Sequence, residues 1–211
     1  MPKNNNELIF SYLDKLFPDP KTELLYEKDY ELLFAVVLSA QTTDKRVNIV
    51  TRVLFSTYKT LEEYANAPLE DIENIIRSIG LYKTKAKNIK EISEILLEKF
   101  DGKVPSSKSD LLLLPGVGVK TANVVRAELF KIPEIAVDTH VNRVSKRLGY
   151  ADENDSVEEV ERKLRAQIDE SRYIKTHHQF IHFGRYFCKA QSPSCKTCEL
   201  VAICKEKNKN L

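Results

Sequence analysis

The chain has 211 residues, 42% apolar and 30% charged, with a net charge of +2. That is the balance of a soluble globular protein, long enough for a buried core in one large domain or two small ones. No apolar run approaches the roughly 20 residues of a membrane helix, and the start, MPKNNNELIF, lacks the charged-then-apolar pattern of a signal peptide; the expectation is a cytoplasmic protein with no membrane partner.

In chain order the pattern is helical. DYELLFAVVLSA (29–40) is apolar nearly all round, as a buried helix is. Thr60-Leu-Glu-Glu63 has the form of a capping box that opens another helix. Pro68 at a first helical position and Gly80 after the last turn bracket LEDIENIIRSI. From Lys83 to Phe100 apolar residues recur at Ile89, Ile92, Leu96 and Leu97. Ser107 to Asp110 forms a cap before LLLL, which Pro115 ends. Helices follow over 120–130 and 139–148, the second stopped by Gly149. Ser156-Val-Glu-Glu159 caps a helix into the 160s, and the Tyr-, Phe- and His-rich 170s and 180s form the last long one. Six or more helices with short connections make an all-α protein.

The mild net charge names no partner, but its distribution is uneven. Residues 83–90 (KTKAKNIK) carry four lysines and no acid, whereas 151–170 carry eight acids against three bases. On charge alone an ordinary solvated helix surface is the favoured account, and a basic face opposite an acidic one is the alternative.

The stretch LPGVGVKTA (114–122) reads as helix, tight turn, helix. Glycine tolerates positive φ and lets another backbone come close. The first N–H groups of a helix lack intrahelical partners and the dipole there favours an anion, so Gly116, Gly118 and the following amides could hold a phosphate. A plain αα-corner is the equal alternative. Lys120 is the odd residue. Its ammonium would sit at the unfavourable end of the dipole, and partial burial would add to the pressure toward a neutral amine, a nucleophile able to form a Schiff base with a sugar carbon. The simpler alternative is a lysine facing a phosphate or solvent. In IAVDTHVNRV (135–144), Asp138 precedes a helix, with Thr139 and His140 beside it. A carboxylate there stays ionised, and taken alone it is a helix cap.

The four cysteines, 188, 195, 198 and 204, fall within 17 residues. Such a cluster in a reducing compartment points to metal, either a tetrahedral zinc or an iron–sulfur cube. Zinc ribbons pair two C-x2-C knuckles, and this tail has one, a lean toward the cube. His178 and His182, four apart, could share a metal, although packing against the aromatic face is the favoured role.

LPGVGVKTA, then VDTHVNRV with Asp138 eighteen residues after Lys120, then C-x6-C-x2-C-x5-C, together resemble the endonuclease III family of helix-hairpin-helix DNA glycosylases with AP-lyase activity. LSAQTTD (38–44) and GLYKTKA (80–86) resemble two further family segments, so the likeness runs from about residue 25 to 204. The resemblance implies a monomeric, nucleoid-associated, two-lobed protein. One lobe spans 23–133 with the hairpin at about 107–127; the other combines 1–22 with 134–211 and holds a [4Fe-4S] cluster on Cys188, Cys195, Cys198 and Cys204. The implied activity removes oxidised pyrimidines from duplex DNA that carries damaged or abasic sites. Lys120 would attack C1′ of the damaged nucleotide and Asp138 would stabilise the opening sugar. β-Elimination would then cut the strand. Uracil or mismatch removal on the same scaffold, and a non-catalytic DNA-binding hairpin with structural zinc, are the alternatives. A base must leave the stack before this chemistry; the resemblance implies Gln41 filling the gap and Leu81 wedging nearby. Lys83 and Lys85 would then be the phosphate partners nearest the wedge, and His140 a DNA contact or a support for Asp138. Family members often carry basic residues between the first two cysteines. Here that loop is KAQSPS, with Lys189 alone, so Arg185 and Lys196 are the candidates to share its task.

Overall fold

A computed structural model describes residues 3–211; the first two residues of the expected 1–22 segment lie outside the described residues. Among these the secondary structure is helical throughout, as expected. In order the α-helices are α1 (Lys3–Leu16), α2 (Asp29–Leu38), α3 (Asp44–Thr57), α4 (Leu61–Asn66), α5 (Leu69–Ile76), α6 (Tyr82–Lys99), α7 (Lys108–Leu111), α8 (Val119–Phe130), α9 (Thr139–Leu148), α10 (Val157–Gln167) and α11 (Tyr173–His182). Contacts divide the chain into two compact units. One is Glu23–Phe130; the other joins the segment ending at Thr22 to Lys131–Leu211.

The Glu23–Phe130 unit is built around α2. Its lack of an apolar stripe is explained by its surroundings: it packs against α3, α6 and α8, and Glu31 through Leu38 are all buried. Even Glu31 is satisfied, because its carboxylate accepts from the amides of Glu27 (2.8 Å) and Lys28 (3.2 Å) and so caps its own helix. Leu32, Phe34, Val47, Leu54, Ile72, Ile89, Ile92, Leu96 and Val125 fill the core. Thr43, Thr60 and Ser107 cap α3, α4 and α7 through their hydroxyls. Pro68 stands one place earlier than expected, as the extended residue (φ −58°, ψ 130°) before α5, a conformation its fixed φ also permits. The LLLL run is mostly turn: α7 ends at Leu111, and Leu113 and Leu114 donate to Asp110 and Leu111 at 3.1 Å.

The second unit packs α1, α9, α10 and α11 around Ile9, Leu13, Val141, Val144, Leu148, Val160, Leu164, Phe180 and Phe183. Helix α9 is bounded as the sequence suggested. Asp138 caps its start, and Gly149 (φ 81°) closes its end, with Tyr150 N–H returning to the Ser145 carbonyl at 2.9 Å. Ser156 and Glu159 form the expected capping box of α10. The expected single long last helix is instead three pieces: a 3₁₀ turn at Glu170–Arg172, α11, and a π-helical stretch over Phe183–Phe187. Gly184 explains the change of winding. A Cβ there would lie 3.0 Å from His140 Cβ and 3.2 Å from Val144 Cγ2, so the backbone is pressed onto α9.

Asp14 ties α1 to this unit. Its carboxylate accepts from Arg172 (3.0 Å), Lys175 (2.7 Å) and Gln179 (2.8 Å). Burial pushes its pKa up, but these hydrogen bonds and the Arg172 charge outweigh that and hold it well below the usual carboxylate range. A folded-state pKa below the unfolded value gives stability that is complete above about pH 4 and is lost as the pH falls further. Asp14→Asn should therefore be less stable than the native chain at pH 7, with the gap closing toward pH 3. Urea unfolding at the two pH values measures it.

Candidate functional site

The hairpin begins at α7 and ends on α8. Gly116 has φ 77°, and a Cβ on it would collide with the Asn88 side-chain amide of α6. Both facts demand glycine at this position. Gly116→Ala should cost roughly 1–3 kcal/mol, visible as a lowered urea midpoint with unchanged m-value. At Gly118 the need is different: a Cβ would meet nothing within 4 Å, and its carbonyl accepts from Ala122 N–H (2.9 Å) to start α8. The start of that helix is thus left open on the outside, as an anion site requires.

Lys120 is the second residue of α8. Ala122 and Val125 are wholly buried and fix the helix against α2, so the lysine's position is set by packing. Its side chain is exposed, which corrects the expected partial burial.

Asp138 belongs to the other unit. It is half-buried and its Oδ1 accepts from Val141 N–H at 2.7 Å, leaving Oδ2 free of that cap bond. The segment leading to it, Ile135–Val137, is buried, and the buried His177 ring bonds the Ala136 carbonyl at 2.9 Å. His177 is therefore a support for the Asp138 approach that composition alone did not single out. His140, the second residue of α9, is half-buried. Burial lowers its pKa, Asp138 opposes that, and Arg143 and Arg185 reinforce it. Arg143 Nη2 lies 3.2 Å from His140 Nδ1. A guanidinium only donates, so Nδ1 accepts and the neutral ring carries its proton on Nε2. His140 is thus hydrogen-bonded to Arg143, while Asp138 acts on the ring through its charge.

Gln41 and Leu81 share an unusual backbone. Both are exposed and both have positive φ, 56° and 60°. Gln41 lies in the turn between α2 and α3, and Leu81, 62% exposed, is the residue before α6. Positive φ in non-glycine residues is strained and gathers at functional positions. Gln41 is therefore not the buried polar side chain that its place beside a helix end suggests. Lys83 is exposed on the first turn of α6 and available to a phosphate. Lys85 is not: it is only 4% exposed, and its Nζ donates to the carbonyls of Leu38 (2.9 Å) and Ala40 (2.6 Å). Its expected role as a phosphate partner is corrected to an internal one.

Cys188, Cys195, Cys198 and Cys204 are free thiols, each half-buried, and all four line one pocket that opens to solvent. Leu148, Phe183, Phe187, Leu200 and Val201 supply its apolar wall. Arg147 donates to Cys188 Sγ (3.4 Å) and to the Lys189 carbonyl (2.8 Å), and pairs with Glu206 at 2.7 Å. Arg143 donates to the Gly184 carbonyl at 2.7 Å, so two arginines one turn apart join α9 to the start of the cysteine loop. Burial pushes the Cys198 thiol up to about 11; the Leu200 amide opposes this and the other three thiols add to it. Four thiolates here would need a cationic centre to hold them. In the 189–194 loop Lys189 is exposed, as is Lys196 beyond it, while Arg185 is half-buried. His178 and His182 are held separately. The His178 ring packs on His177 (5.1 Å), and His182 Nε2 bonds the Lys21 carbonyl at 3.0 Å.

Comparison with known proteins gives the family of the chain. The model of the HhH-GPD superfamily base excision DNA repair proteins matches residues 34–170. The chain is 49% identical to endonuclease III of Bacillus subtilis over 203 residues, which covers 96% of this chain and 93% of that protein. It is 43% identical to endonuclease III of Escherichia coli, covering 91% and 90%. A solved endonuclease III, trapped as a covalent intermediate with DNA in an estranged-adenine complex, superposes with a TM-score of 0.93 at 50% identity, over 98% of this chain and 97% of that one. A thermostable thymine-DNA glycosylase shares the fold, with a TM-score of 0.84 at 22% identity. Among the described residues no helix is long and apolar enough to cross a membrane. On this evidence the chain belongs to the HhH-GPD superfamily of base excision DNA repair proteins and, within it, to the endonuclease III family.

Proposed function

We propose that this protein is a bifunctional DNA glycosylase and AP lyase that removes oxidised pyrimidines from duplex DNA. The observation that carries the reading is a lysine, rather than a serine or an acid, on the first turn of the hairpin's second helix, in a chain half-identical to an enzyme trapped covalently on DNA. Lys120 acts as the neutral amine. Its Nζ bonds to C1′ of the damaged nucleotide, and the base departs with the electron pair of the glycosidic bond. Asp138, which caps the start of α9, offsets the positive charge that develops on the sugar. The nitrogen lone pair then expels O4′, which takes up a proton as the ring opens, and the C1′=N Schiff base so formed acidifies the 2′ hydrogen, whose loss with the 3′ phosphate breaks the strand. Gln41 and Leu81 enter the stack when the nucleotide leaves it, Lys83 and the open start of α8 hold phosphates, and His140 offers its Nε2–H to the backbone.

Cys188, Cys195, Cys198 and Cys204 hold a [4Fe-4S] cluster. The donor set fits it: four thiols converge on one pocket, with an arginine beside Cys188 to offset thiolate charge. They stand around a pocket rather than about a point, and that suits a polynuclear group better than a single zinc ion. When bound, the cluster supplies cross-linking of a tail too short for a core of its own.

The test uses a duplex with one thymine glycol. The protein should release the base and leave a 3′ unsaturated aldehyde with a 5′ phosphate on the downstream piece. An intact strand with a released base would mean hydrolysis by water, and uracil release without thymine-glycol release would favour the alternative substrate class.

A further inference from the structure

We propose that Lys85 is a positioning residue that locks the Gln41 turn to the Leu81 turn, so that the two side chains enter DNA as one device. The proposal rests on the reading of Gln41 and Leu81 as the residues that fill the stack.

The geometry is specific. An ammonium has three donors and no acceptor. Lys85 Nζ directs its donors to the Leu38 carbonyl (2.9 Å), the Ala40 carbonyl (2.6 Å) and the Thr42 hydroxyl (3.4 Å), which flank Gln41 on both sides. Two of these acceptors lie at the end of α2, where carbonyls lack helical partners and carry partial negative charge, so a cation is the fitting cap. On its own helix, Lys85 N–H donates to the Leu81 carbonyl at 3.0 Å, the bond that closes the first turn of α6 on Leu81. One residue thus holds both positive-φ turns, its side chain one and its amide the other. A strained turn of this kind persists only where its surroundings over-determine it.

The rest of α6 explains why this helix is the frame. Lys85, Ile89, Ile92 and Leu96 form one buried stripe at helical spacing. Asn88, one turn beyond Lys85, closes over Gly116 of the hairpin. The same rigid helix therefore presents Leu81, fixes the Gln41 turn and abuts the hairpin. A lysine placed only to attract phosphates would point outward, as Lys83 does.

The test compares elimination rates on an abasic site in duplex and in single-stranded DNA, with enzyme concentration set by borohydride-trapping titration so that only active protein counts. A single strand has no stack to fill. Lys85→Met should slow the duplex reaction about tenfold or more while changing the single-strand rate by less than about threefold. Gln41→Ala should do the same, and Lys85→Met combined with Gln41→Ala should be no slower on duplex than Gln41→Ala alone. A 2-aminopurine opposite the lesion, which brightens on unstacking, should lose its signal in Lys85→Met. If Lys85→Met does not fold, Lys85→Gln, which keeps two donors, is used and must show the same duplex-specific loss. Equal losses on both substrates, or losses that multiply with Gln41→Ala, would overturn the proposal. If Gln41→Ala itself leaves the duplex-to-single-strand ratio unchanged, the stack-filling reading fails instead.

Discussion

Lys120→Ala is expected to lower strand cleavage at an abasic site by at least about 10⁴-fold while leaving duplex binding within a few-fold of native. The argument is chemical. The lysine offers the amine that makes the Schiff base, and neither neighbour on α8 can substitute, since Val119 and Thr121 carry a hydrocarbon and a hydroxyl. Structural damage should be small, because Lys120 is exposed and α8 is held by Ala122 and Val125 on its other face. Binding should survive for the same reason, since the open helix start and Lys83 are untouched. Single-turnover cleavage and a gel-shift titration at the same salt concentration measure the two quantities. A variant that cleaves at near-native rate would remove Lys120 from the mechanism, and one that no longer binds would make it a DNA contact.

Cys198→Ser is expected to have the largest effect on stability. Burial disfavours the Cys198 thiolate, and the residue lies among the other three cysteines and against Leu200, which is wholly buried. Removing one of four ligands should abolish the broad visible absorption of an iron–sulfur cluster. It should also lower the melting temperature by roughly 10–20 °C. The loss should be local first: limited proteolysis should cut within 188–211 before it cuts the Glu23–Phe130 unit, which has its own core. A colourless native protein with stoichiometric zinc would contradict the cluster, and an unchanged melting point would show that the tail needs no metal.

How much of this was legible in the chain depends on where the physics is local. Asp138 and Gly149 bound α9 because a cap and a left-handed stop act within a few residues, and the Ser156–Glu159 box opens α10 for the same reason. Helices α1 and α3 carry no such signal in their composition. The first opens on asparagines, and the second mixes valine, isoleucine and threonine with charges, so neither composition announces a helix. Both are held by packing, α1 through Ile9 and Leu13 and α3 through Val47 and Leu54. The π-helical stretch before Cys188 depends on the close approach of Gly184 to His140 and Val144, some forty residues earlier in the chain, and no local rule contains it. Lys85 was legible after all. Leu96, Ile92 and Ile89 continue backward at the same spacing to position 85, so the stripe marks it as inward-facing, while the run of lysines around it suggests a solvated face. The chemistry-bearing residues stood out by type, lysine after a glycine turn and aspartate before a helix, but neither the positive φ of Gln41 and Leu81 nor their exposure could be read from type alone.

The central claim is that the amine of Lys120 bonds to the sugar. The most direct measurement is peptide mapping by mass spectrometry after borohydride reduction of the native protein on a duplex with one abasic site. The mass of the reduced deoxyribose remnant should sit on Lys120, in the peptide that contains LPGVGVKTA. A remnant on any other lysine, or strand cleavage without a trapped adduct, would contradict it.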